Sequence, residues 1–533
     1  MARIRVGKRM HRTTTVGISQ SAAPKGRPPK SEVTSTAAAL PLSQRAQRAL
    51  FVDLNNFSTF PTLAVGILVA SLRNAGFEVE VLCPLAHDVP AAEREKRETI
   101  KDDLMRRVHL STHPLMRAPR DAARRARLWW RNRPHPRVLR EAARILDSKP
   151  DVLLLSAYLQ HYSTVVELGR LAAARGIPVL LGGPVFNQQA TAEVWRTIPG
   201  LCALVAGEVD LTMPEIVAGA IRGDDLLKYD GVVLPDGRRS PAAPPLRQLD
   251  RIPVPDFSDF PWDRYRTRVI PLMTGRGCQW NRCVFCSDIV SVSGRTFRTK
   301  SVDAVMHEVR ELAMRHECTN FLFLDIKLNS DPRTLRGIVE HIQRNAPGAQ
   351  WVGTVHVDQR KDNGLSRAEL RAAVAAGMRR VSFGLESGSQ RVLDLMDKGC
   401  SVELNQEFIR NAYDAGLSVR CTMIRGFPGE TAEDVVLTAE FLERNSAYID
   451  RIRANDLAII EGTPLHKTVR DEPTRFPELK VLQFDHRQSW ARYVNVNHAE
   501  GAYRKAVARM LDAVYAINRR EVRRTARAFD GLM

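Results

Sequence analysis

The chain holds three cysteines within nine consecutive positions: Cys278, Cys283 and Cys286. They belong to the segment GRGCQWNRCVFC, which follows the apolar run 269–273, a pattern typical of a buried strand. Thiolates bind zinc or iron–sulfur clusters. A structural zinc site normally has a fourth protein ligand, and the best local candidates are His307 and His316 on the predicted next helix. Three thiolates can instead hold three corners of a [4Fe–4S] cluster and leave one iron open to a small molecule.

The remaining cysteines are scattered through apolar or helical surroundings: Cys83, Cys202, Cys318, Cys400 and Cys421. Eight cysteines in 533 residues are too few for a disulfide framework. We therefore predict that these five pack as small buried hydrophobic residues.

A first series of apolar strands alternating with helices precedes the cysteines. The strands are predicted at 48–55, 77–84, 151–157, 177–184 and 203–208, and the helices at 63–75, 163–175, 188–197 and from 210 onward. Continuously apolar strands that alternate with helices indicate a doubly wound parallel sheet covered on both faces. Its ligands should lie outside the carboxyl ends of the strands, where 182–184 and 207–208 stand.

A second alternating series begins at the cysteines. Its strands are predicted at 269–274, 320–326, 350–356, 379–386, 417–424 and 449–460, and its helices at 302–316, 331–344, 366–376, 389–396, 403–415 and 431–445. Such βα units predict a partial (β/α)6 TIM-type barrel. The functional face of a barrel is formed by the loops after its strands, and the cysteine segment occupies the first of these loops.

The predicted domain organisation follows from these two series. It comprises a disordered basic leader (1–46), a sheet domain (47–235) with a charged helical insertion (88–147), a Pro-rich linker (236–264), the barrel (265–465) and a helical C-terminal region (466–533).

The formal net charge of +19 is confined to three segments: 1–30, 117–140 and 515–533. The rest of the chain is neutral overall, so the basicity belongs to appendages and we expect no nucleic-acid partner. Trp129 and Trp130 stand among arginines and could stack on bases. Such a pair more often anchors a helix to its neighbour, and we favour that interpretation. The stretch GRPPK, 26–30, resembles the core of a minor-groove hook but is a weak match in a basic tail.

No segment of the sequence predicts a membrane span, because the longest apolar stretches have only the length of a strand. The basic N-terminal segment lacks the apolar core of a secretory signal. We therefore expect a cytoplasmic protein.

Three motifs, in this order, carry a resemblance to a known family. The loop GRGCQWNRCVFC resembles the cluster loop of the radical S-adenosylmethionine (SAM) enzymes, and the resemblance extends to FGLESGSQRVLDLMDKG (383–399) and MIRGFPGET (423–431). The sheet domain, with IPVLLGGP and VAGE, is similar to the cobalamin-binding domain that precedes the barrel in one branch of that superfamily. Together the two domains cover residues 48 to 465.

The resemblance implies roles for individual residues. The three clustered cysteines would hold a [4Fe–4S] cluster whose open iron is chelated by SAM, and reductive cleavage would release a 5'-deoxyadenosyl radical. The implied SAM-binding residues are Phe285, Asp325, Ser382, Glu386, Gly426 and Gly429. The implied cobalamin-binding residues are Asn55, Ser156, Gly182, Gly183, Gly207 and Glu208. For the polar residues among them, strand-end capping is the structural alternative.

Two departures from the family pattern affect these expectations. Four residues, 279–282, separate the first two cysteines, whereas the commonest family loop has three. The loop DLNNFS, 53–58, has no histidine where many cobalamin proteins supply one to cobalt. Bound cobalamin would therefore lack a histidine lower ligand, and the alternative is a sheet domain that has lost its cofactor.

The predicted function is that of a cobalamin-dependent radical SAM C-methyltransferase acting on an unactivated carbon. Its partners would be a small-molecule or peptide substrate and a reductant such as flavodoxin or ferredoxin. A non-methylating radical reaction (cyclisation, dehydrogenation or epimerisation) is the first alternative. A methylthiotransferase ranks lower. A resemblance to that group implies a second cluster held by three N-terminal cysteines, and only Cys83 and Cys202 precede the barrel. A basic nucleic-acid-binding protein with a structural zinc is the alternative from another class. His356 is a candidate base that would equally suit a packing role.

Overall fold

A computed structural model of the chain describes residues 45–91, 97–111, 113–287 and 297–532. All but the last two residues of the predicted leader lie outside these ranges. Ala46–Met533 form one compact unit. The predicted boundaries between sheet domain, linker and barrel therefore stay a prediction.

The first sheet has the strand order β2-β1-β3-β4-β5-β6. Its strands are β1 (Arg48–Asp53), β2 (Glu78–Leu82), β3 (Val152–Ser156), β4 (Val179–Gly182), β5 (Leu201–Val205) and β6 (Val232–Val233). The first five pair in parallel, and β6 runs antiparallel to β5. The helices of this half are α1 (Leu63–Asn74), α2 (Ile100–Leu110), α3 (Pro114–Arg131), α4 (Pro136–Asp147), α5 (Tyr162–Ala173), α6 (Gln189–Trp195) and α7 (Met213–Arg222).

Both faces of this sheet are buried because successive side chains of a strand point to opposite faces. Phe51 and Leu154 belong to a large core that continues into the second half of the chain. Leu50 and Leu153 belong to a separate core that contains Ile145. Apolar residues at consecutive positions thus satisfy two cores, and the predicted doubly wound sheet is confirmed.

The second sheet is the parallel barrel series, in the order β7-β10-β11-β12-β13-β14. The strands from here to β14 are β7 (Ile270–Leu272), the short pair β8 (Gly275–Arg276) and β9 (Arg298–Thr299), then β10 (Asn320–Phe323), β11 (Gln350–Val355), β12 (Met378–Glu386), β13 (Ser418–Arg425) and β14 (Arg451–Asp456). The helices are α8 (Val302–His316), α9 (Pro332–Asn345), α10 (Arg367–Ala375), α11 (Gln390–Leu395), α12 (Val402–Ala415) and α13 (Ala432–Asn445).

Side-chain caps fix where several of these helices begin. The hydroxyl of Thr431 accepts from the Asp434 amide, and the Asp434 carboxylate accepts from the Thr431 amide at 2.8 Å. Ser366 and Glu369 form the same reciprocal box at the start of α10. Each cap satisfies amides that the helix itself leaves unbonded, and so helps to hold the preceding loop at the carboxyl end of its strand.

The C-terminal region is helical, as predicted, and also contains an antiparallel sheet that sequence reasoning did not identify. Its elements are β15 (Ile459–Ile460), α14 (Pro464–Asp471), β16 (Leu479–Asp485), β17 (Trp490–Asn495) and α15 (Gly501–Asn518). The final residues close one end of the barrel, because the buried Arg380 guanidinium donates to the carbonyls of Phe529 and Leu532 at 2.6 and 2.8 Å.

The insertion is helical as predicted, but the predicted anchoring role of its tryptophan pair is wrong. Trp129 and Trp130 are 65% and 70% exposed at the end of α3. In the described part of the chain, no helix has both the length and the apolar composition needed to cross a membrane.

Candidate active site

The cysteine loop leaves the carboxyl end of β7, and Asp325 from the end of β10 holds its base. The Asp325 carboxylate accepts from the Thr274 amide at 3.0 Å, the Thr274 hydroxyl at 2.7 Å and the Gly275 amide at 2.9 Å. Burial raises the pKa of Asp325, and these hydrogen bonds oppose the rise. Asp325 thus anchors the loop, and its predicted contact with SAM stays a prediction.

Trp280, in the four-residue spacer between the first two cysteines, anchors the middle of the loop. Its indole nitrogen donates to the Asp397 carbonyl at 2.7 Å. Its ring lies against Gly399, where an added Cβ would stand 2.1 Å from a ring carbon. The Arg282 guanidinium also pairs with the Asp397 carboxylate at 3.1 Å. The longer spacer therefore places an aromatic side chain that attaches this loop to the turn after α11.

The second half of the loop is held by backbone hydrogen bonds on both sides. The Val284 amide donates to the Met396 carbonyl at 3.1 Å, and the Leu465 amide donates to the Val284 carbonyl at 2.9 Å. Phe285 packs against a small apolar cluster that contains Met396. The loop is consequently fixed between the end of α11 and the start of α14.

The three clustered thiols are all partly exposed. Burial raises the pKa of Cys283, the Lys398 ammonium opposes that rise, and the Cys278 thiol adds to it. Within the described residues, no three His, Cys, Asp or Glu side chains converge closely enough to hold a single metal ion. The chemistry of the donor set fits a thiolate-bound cluster, and its assignment to the three cysteines stays a prediction.

Glu386, at the end of β12, forms a buried ion pair with Lys398. The ammonium and the carboxylate are 3.2 Å apart, and both side chains are buried. Burial lowers the pKa of Lys398, but the Glu386 carboxylate and the Cys283 thiol outweigh burial, and the net shift is upward. Gly384 makes room for the pair, because a Cβ there would lie 2.1 Å from the carboxylate oxygen. Lys398 also stands 6.0 Å from the centre of the Phe285 ring.

Ser382 lies on the same strand, four residues before Glu386, and is buried. Alternation along β12 places Ser382 on the face of Arg380, whose guanidinium reaches the residues that close the barrel. The structure therefore brings Ser382, Glu386 and the cysteine loop to one barrel.

Gly426 and Gly429 follow β13 in a tight turn with φ of 76° and 82°. The Gly426 amide donates to the Glu430 carboxylate at 2.6 Å, and the Tyr503 hydroxyl donates to the same oxygen at 2.7 Å. An added Cβ at Gly426 would lie 2.5 Å from the His498 ring. Gly426 thus allows a close approach to groups of the protein itself, and the predicted contact of the two glycines with SAM stays a prediction.

Glu430 gives this turn a dependence on pH. Burial raises the pKa of its carboxyl from 4.5 to about 7. Between pH 4.5 and about pH 7 the folded state keeps a proton that the unfolded chain has lost. The free energy of unfolding therefore falls by roughly 3 kcal/mol as the pH rises through this window, and this contribution stays constant above about pH 7. We expect Glu430→Gln to remove this fall. Urea unfolding of both proteins at about pH 5 and about pH 8 measures it, and equal pH dependence in both would contradict the assignment.

His356, the candidate base, follows β11 and is buried beside the cysteine loop. Its ring centre lies 6.3 Å from that of Trp280. Asn329 holds its backbone, accepting from the amide and donating to the carbonyl, both at 3.0 Å. Burial and the charges of Lys398 and Lys327 hold the pKa of His356 well below its ordinary value. Its Nε2 has no hydrogen-bond partner within the described chain.

The carboxyl edge of the first sheet brings several of the predicted cobalamin-binding residues together. The side-chain amide nitrogen of Asn55 lies 3.4 Å from the Ser156 hydroxyl oxygen. Its side-chain oxygen is buried and has no hydrogen-bond partner among the described residues. At Gly182 the nearest atom to an added Cβ is 3.8 Å away, and Gly183 follows it directly. An unpaired buried acceptor and open backbone on the same sheet edge fit a ligand there.

Gly207 and Glu208, after β5, are engaged by protein groups. An added Cβ at Gly207 would lie 2.6 Å from Ala243. The Glu208 carboxylate accepts from the Arg298 guanidinium at 2.6 Å and from the Leu246 amide at 2.8 Å. Their predicted contact with cobalamin stays a prediction.

A partly buried ion pair joins this sheet edge to the cysteine loop. The Arg276 guanidinium makes two bonds of 2.7 Å to the Asp210 carboxylate, in the bidentate geometry that arginine favours. Arg276 stands two residues before Cys278, and Asp210 follows β5. A ligand at the carboxyl edge of the sheet would therefore lie beside the cysteine loop.

Residues 272–442 match the family described as the radical SAM superfamily. This part of the chain is therefore a radical SAM domain. The matched range contains the cysteine loop, the Glu386 strand end and the Gly426 turn, in the predicted order. The domain marks the protein as an enzyme, and radical SAM enzymes use a [4Fe–4S] cluster and SAM.

Curated relatives of this radical SAM protein have differing activities in their names. An uncharacterized methyltransferase of Pyrococcus horikoshii is 28% identical over 305 residues, which cover 55% of this chain and 64% of the relative. The anaerobic magnesium-protoporphyrin IX monomethyl ester cyclase of Rubrivivax gelatinosus is 28% identical over 270 residues, which cover 48% of this chain and 47% of the relative. The chain thus spans about half to two thirds of the length of these two relatives.

Solved structures share the fold of this radical SAM protein across most of its length. The radical SAM methyltransferase TsrM from Kitasatospora setae superposes with a TM-score of 0.63 at 17% identity, over 88% of this chain and 89% of that one. The cobalamin-dependent SAM radical enzyme OxsB superposes with a TM-score of 0.62 at 15% identity, over 84% of this chain and 64% of that one. The predicted architecture is confirmed.

Sequence reasoning missed two parts of this candidate site. The segment DKGC gives no local sign that Lys398 is buried. Its position inside the second motif was the one signal that could have pointed to a role in the site. The ion pairs of Arg276 and Arg298 join residues 66 and 90 positions away, and no local pattern indicates such a contact.

Proposed function

We propose that the protein is a cobalamin-dependent radical SAM methyltransferase that places a methyl group on an unactivated carbon. The observation that carries the proposal is the bidentate Arg276–Asp210 pair, which sets the carboxyl edge of the sheet beside the cysteine loop. When bound, the cluster supplies the electron that cleaves SAM, and cobalamin supplies a transferable methyl group. Two cofactor sites that cooperate in one reaction have to adjoin, and this ion pair supports such an arrangement of the two proposed sites.

The barrel residues divide the work of holding the cluster and SAM. The thiols of Cys278, Cys283 and Cys286 would hold the cluster. The SAM site would be formed by Phe285, Asp325, Ser382, Glu386, Gly426 and Gly429. Lys398 interacts with a member of each set. Its ammonium pairs with the Glu386 carboxylate, and its charge acts to lower the pKa of the Cys283 thiol.

The sheet residues would hold cobalamin without a histidine ligand. Asn55 offers a buried carboxamide oxygen at the end of β1, and Ser156 lies beside it. Gly182 and Gly183 leave room for the cofactor's tail along the sheet edge, and Gly207 and Glu208 continue that edge. The unpaired Asn55 oxygen supports a bound group at this place.

Methyl transfer is favoured over the alternatives by the names of the similar proteins. One curated relative is called a methyltransferase, and so is the similarly folded TsrM, while the cyclase and the ribosomal protein uS12 methylthiotransferase of Moorella thermoacetica keep other outcomes open. We propose a small-molecule or peptide substrate, a reductant such as flavodoxin or ferredoxin, and a cytoplasmic location.

The test uses full-length protein purified without oxygen from cobalamin-fed cells. We expect about four iron atoms and one corrinoid per chain, measured by metal analysis and absorbance on one sample. With SAM and a strong reductant we expect both 5'-deoxyadenosine and S-adenosylhomocysteine. Four irons with 5'-deoxyadenosine alone, and no corrinoid after reconstitution, would instead indicate a radical reaction without methyl transfer. Consumption of SAM with neither product would contradict the proposal.

A further inference from the structure

The helical insertion turns its apolar side chains toward solvent. On α2, Ile100 is 78% exposed and Leu104 is 60% exposed. On α3, Leu115 is 81% exposed, and the tryptophan pair at the far end is exposed as well. The exposed large apolar side chains of the two helices are Ile100, Leu104, Met105, Val108, Leu115, Met116, Trp129 and Trp130. We call this set the insertion face.

Three charged side chains of α2 point toward the protein, whereas Lys101, Asp102 and His109 are exposed. Asp103 is buried and pairs with Arg106 at 2.8 Å and with Arg107 at 2.7 Å. Arg107 also reaches Asp512 on α15. An ordinary surface helix buries its apolar side and exposes its charges. Helix α2 thus departs from that pattern: buried ion pairs of Asp103 help to attach it to the protein, and of its large apolar side chains only Leu110 is buried.

Helix α3 presents a continuous apolar stripe. Its exposed apolar residues recur at helical spacing: Leu115, Met116, Ala118, Pro119, Ala122, Ala123, Ala126, Trp129 and Trp130. The spacing of three and four residues puts them on one side of the helix. Arg120, Asp121 and Leu128, from the other side, are partly buried. The apolar stripe runs the length of an 18-residue helix, about 27 Å.

Arginines flank the stripe and stack on its aromatic end. Arg124, Arg125 and Arg127 are exposed. The Arg133 guanidinium lies 4.7 Å from the Trp129 ring centre and 5.3 Å from that of Trp130. Residues 117–140 carry nine arginines and one acidic residue. The partner of this surface therefore has to offer an apolar interior and negative charge.

We propose that the insertion face is a docking surface for an anionic phospholipid membrane. A helix with a wide apolar side, a tryptophan-bearing end and flanking arginines lies in the plane of the interface, with its apolar side among the acyl chains and its cations at the phosphates. This function is independent of the proposed catalytic one, because no residue of the insertion face belongs to the candidate active site.

A lipid surface suits this face better than a protein partner does. Every exposed residue of the α3 stripe is Leu, Met, Ala, Pro or Trp, so the stripe offers no side-chain hydrogen bond except from the indole nitrogens. Protein interfaces carry about one hydrogen bond per 100–200 Å², whereas acyl chains need none. The chain's own residues 1–30 do not complement the arginines either, since they carry eight Lys/Arg and no acid.

The test is flotation of the full-length holoenzyme with vesicles of phosphatidylcholine alone or mixed with phosphatidylglycerol. We expect flotation with the mixed vesicles, weakened by added salt, and little with phosphatidylcholine alone. Trp129→Ser/Trp130→Ser should lower the partition coefficient at least about tenfold. The matched control is Met314→Ser/Leu482→Ser, which removes two exposed apolar side chains elsewhere (62% and 63% exposed) and should leave flotation unchanged.

Three results would overturn the proposal. The first is a wild-type protein that stays monodisperse and does not float with anionic vesicles. The second is a control variant that loses flotation as fully as the tryptophan variant. The third is a wild-type protein that forms a dimer and does not bind vesicles, together with a tryptophan variant that is monomeric. That result would assign the insertion face to self-association. Circular dichroism on all variants separates lost binding from lost folding, because exposed positions should not change the melting temperature.

Discussion

Replacing Cys283 with serine is expected to remove most of the protein-bound iron and nearly all SAM cleavage. A serine hydroxyl does not ionise near neutral pH, so the variant keeps two thiolates where three are needed to hold a [4Fe–4S] cluster. The side chain is partly exposed, and its loop is held by Trp280, Val284 and Asp325 rather than by the thiol. The fold should therefore survive the substitution.

The measurement is iron and zinc content, with electron paramagnetic resonance of the reduced protein, for Cys283→Ser and a matched cysteine variant. Cys202 is the control, because it is also partly exposed but lies on β5 of the sheet, where its thiol donates to the Val179 carbonyl at 3.0 Å. Serine keeps that hydrogen bond, so Cys202→Ser should retain its iron. Wild-type iron content in Cys283→Ser would contradict the cluster assignment. One zinc per wild-type chain would favour the structural zinc alternative.

Much of this architecture was predictable because each half of the chain buries its strands on both faces. Strands such as Val152–Ser156 are apolar at every position or nearly so, which distinguishes them from the amphipathic helices between them. Helix α8 begins and ends where the sequence predicts, since Ser301 caps its start and Glu317 ends it in a left-handed conformation. Local chemistry decides such features, so they can be recognised locally.

The hairpin of β16 and β17 was missed for a physical reason. Its strands carry Lys480, Gln483 and Arg492, and β16 is largely exposed, so they lack the apolar run that marked the other strands. Cross-strand pairing and a few contacts with a small apolar cluster hold this segment, and both join residues that are not neighbours in sequence.

The insertion shows a second limit of periodicity. The pattern of α3 predicts which residues share a side of the helix, but it does not say what covers that side. The expectation that Trp129 and Trp130 anchor the helix assumed a partner within the chain. The described structure places those residues in solvent, so a burial rule that holds for most helices fails here.

Adding one methyl group at Gly399 is expected to release the cysteine loop. Gly399 has φ of 65°, and a Cβ there would stand 2.1 Å from a carbon of the Trp280 ring. The backbone strain of alanine at positive φ costs about 1 kcal/mol, and displacing a packed ring costs roughly 1–3 kcal/mol more. Because Trp280 anchors the spacer between Cys278 and Cys283, we expect Gly399→Ala to lose most of its iron while the rest of the barrel stays folded.

Gly348→Ala separates the clash from the backbone strain. Gly348 has φ of 79°, and nothing lies within 4 Å of an added Cβ there, so its substitution carries the strain without the contact. We expect Gly348→Ala to unfold at slightly lower urea concentration and to keep its full iron content. Adding Trp280→Ala to Gly399→Ala removes the ring that clashes, so the two substitutions should be strongly non-additive in the free energy of unfolding. Equal iron content in Gly399→Ala and Gly348→Ala would show that the Trp280 contact does not hold the loop.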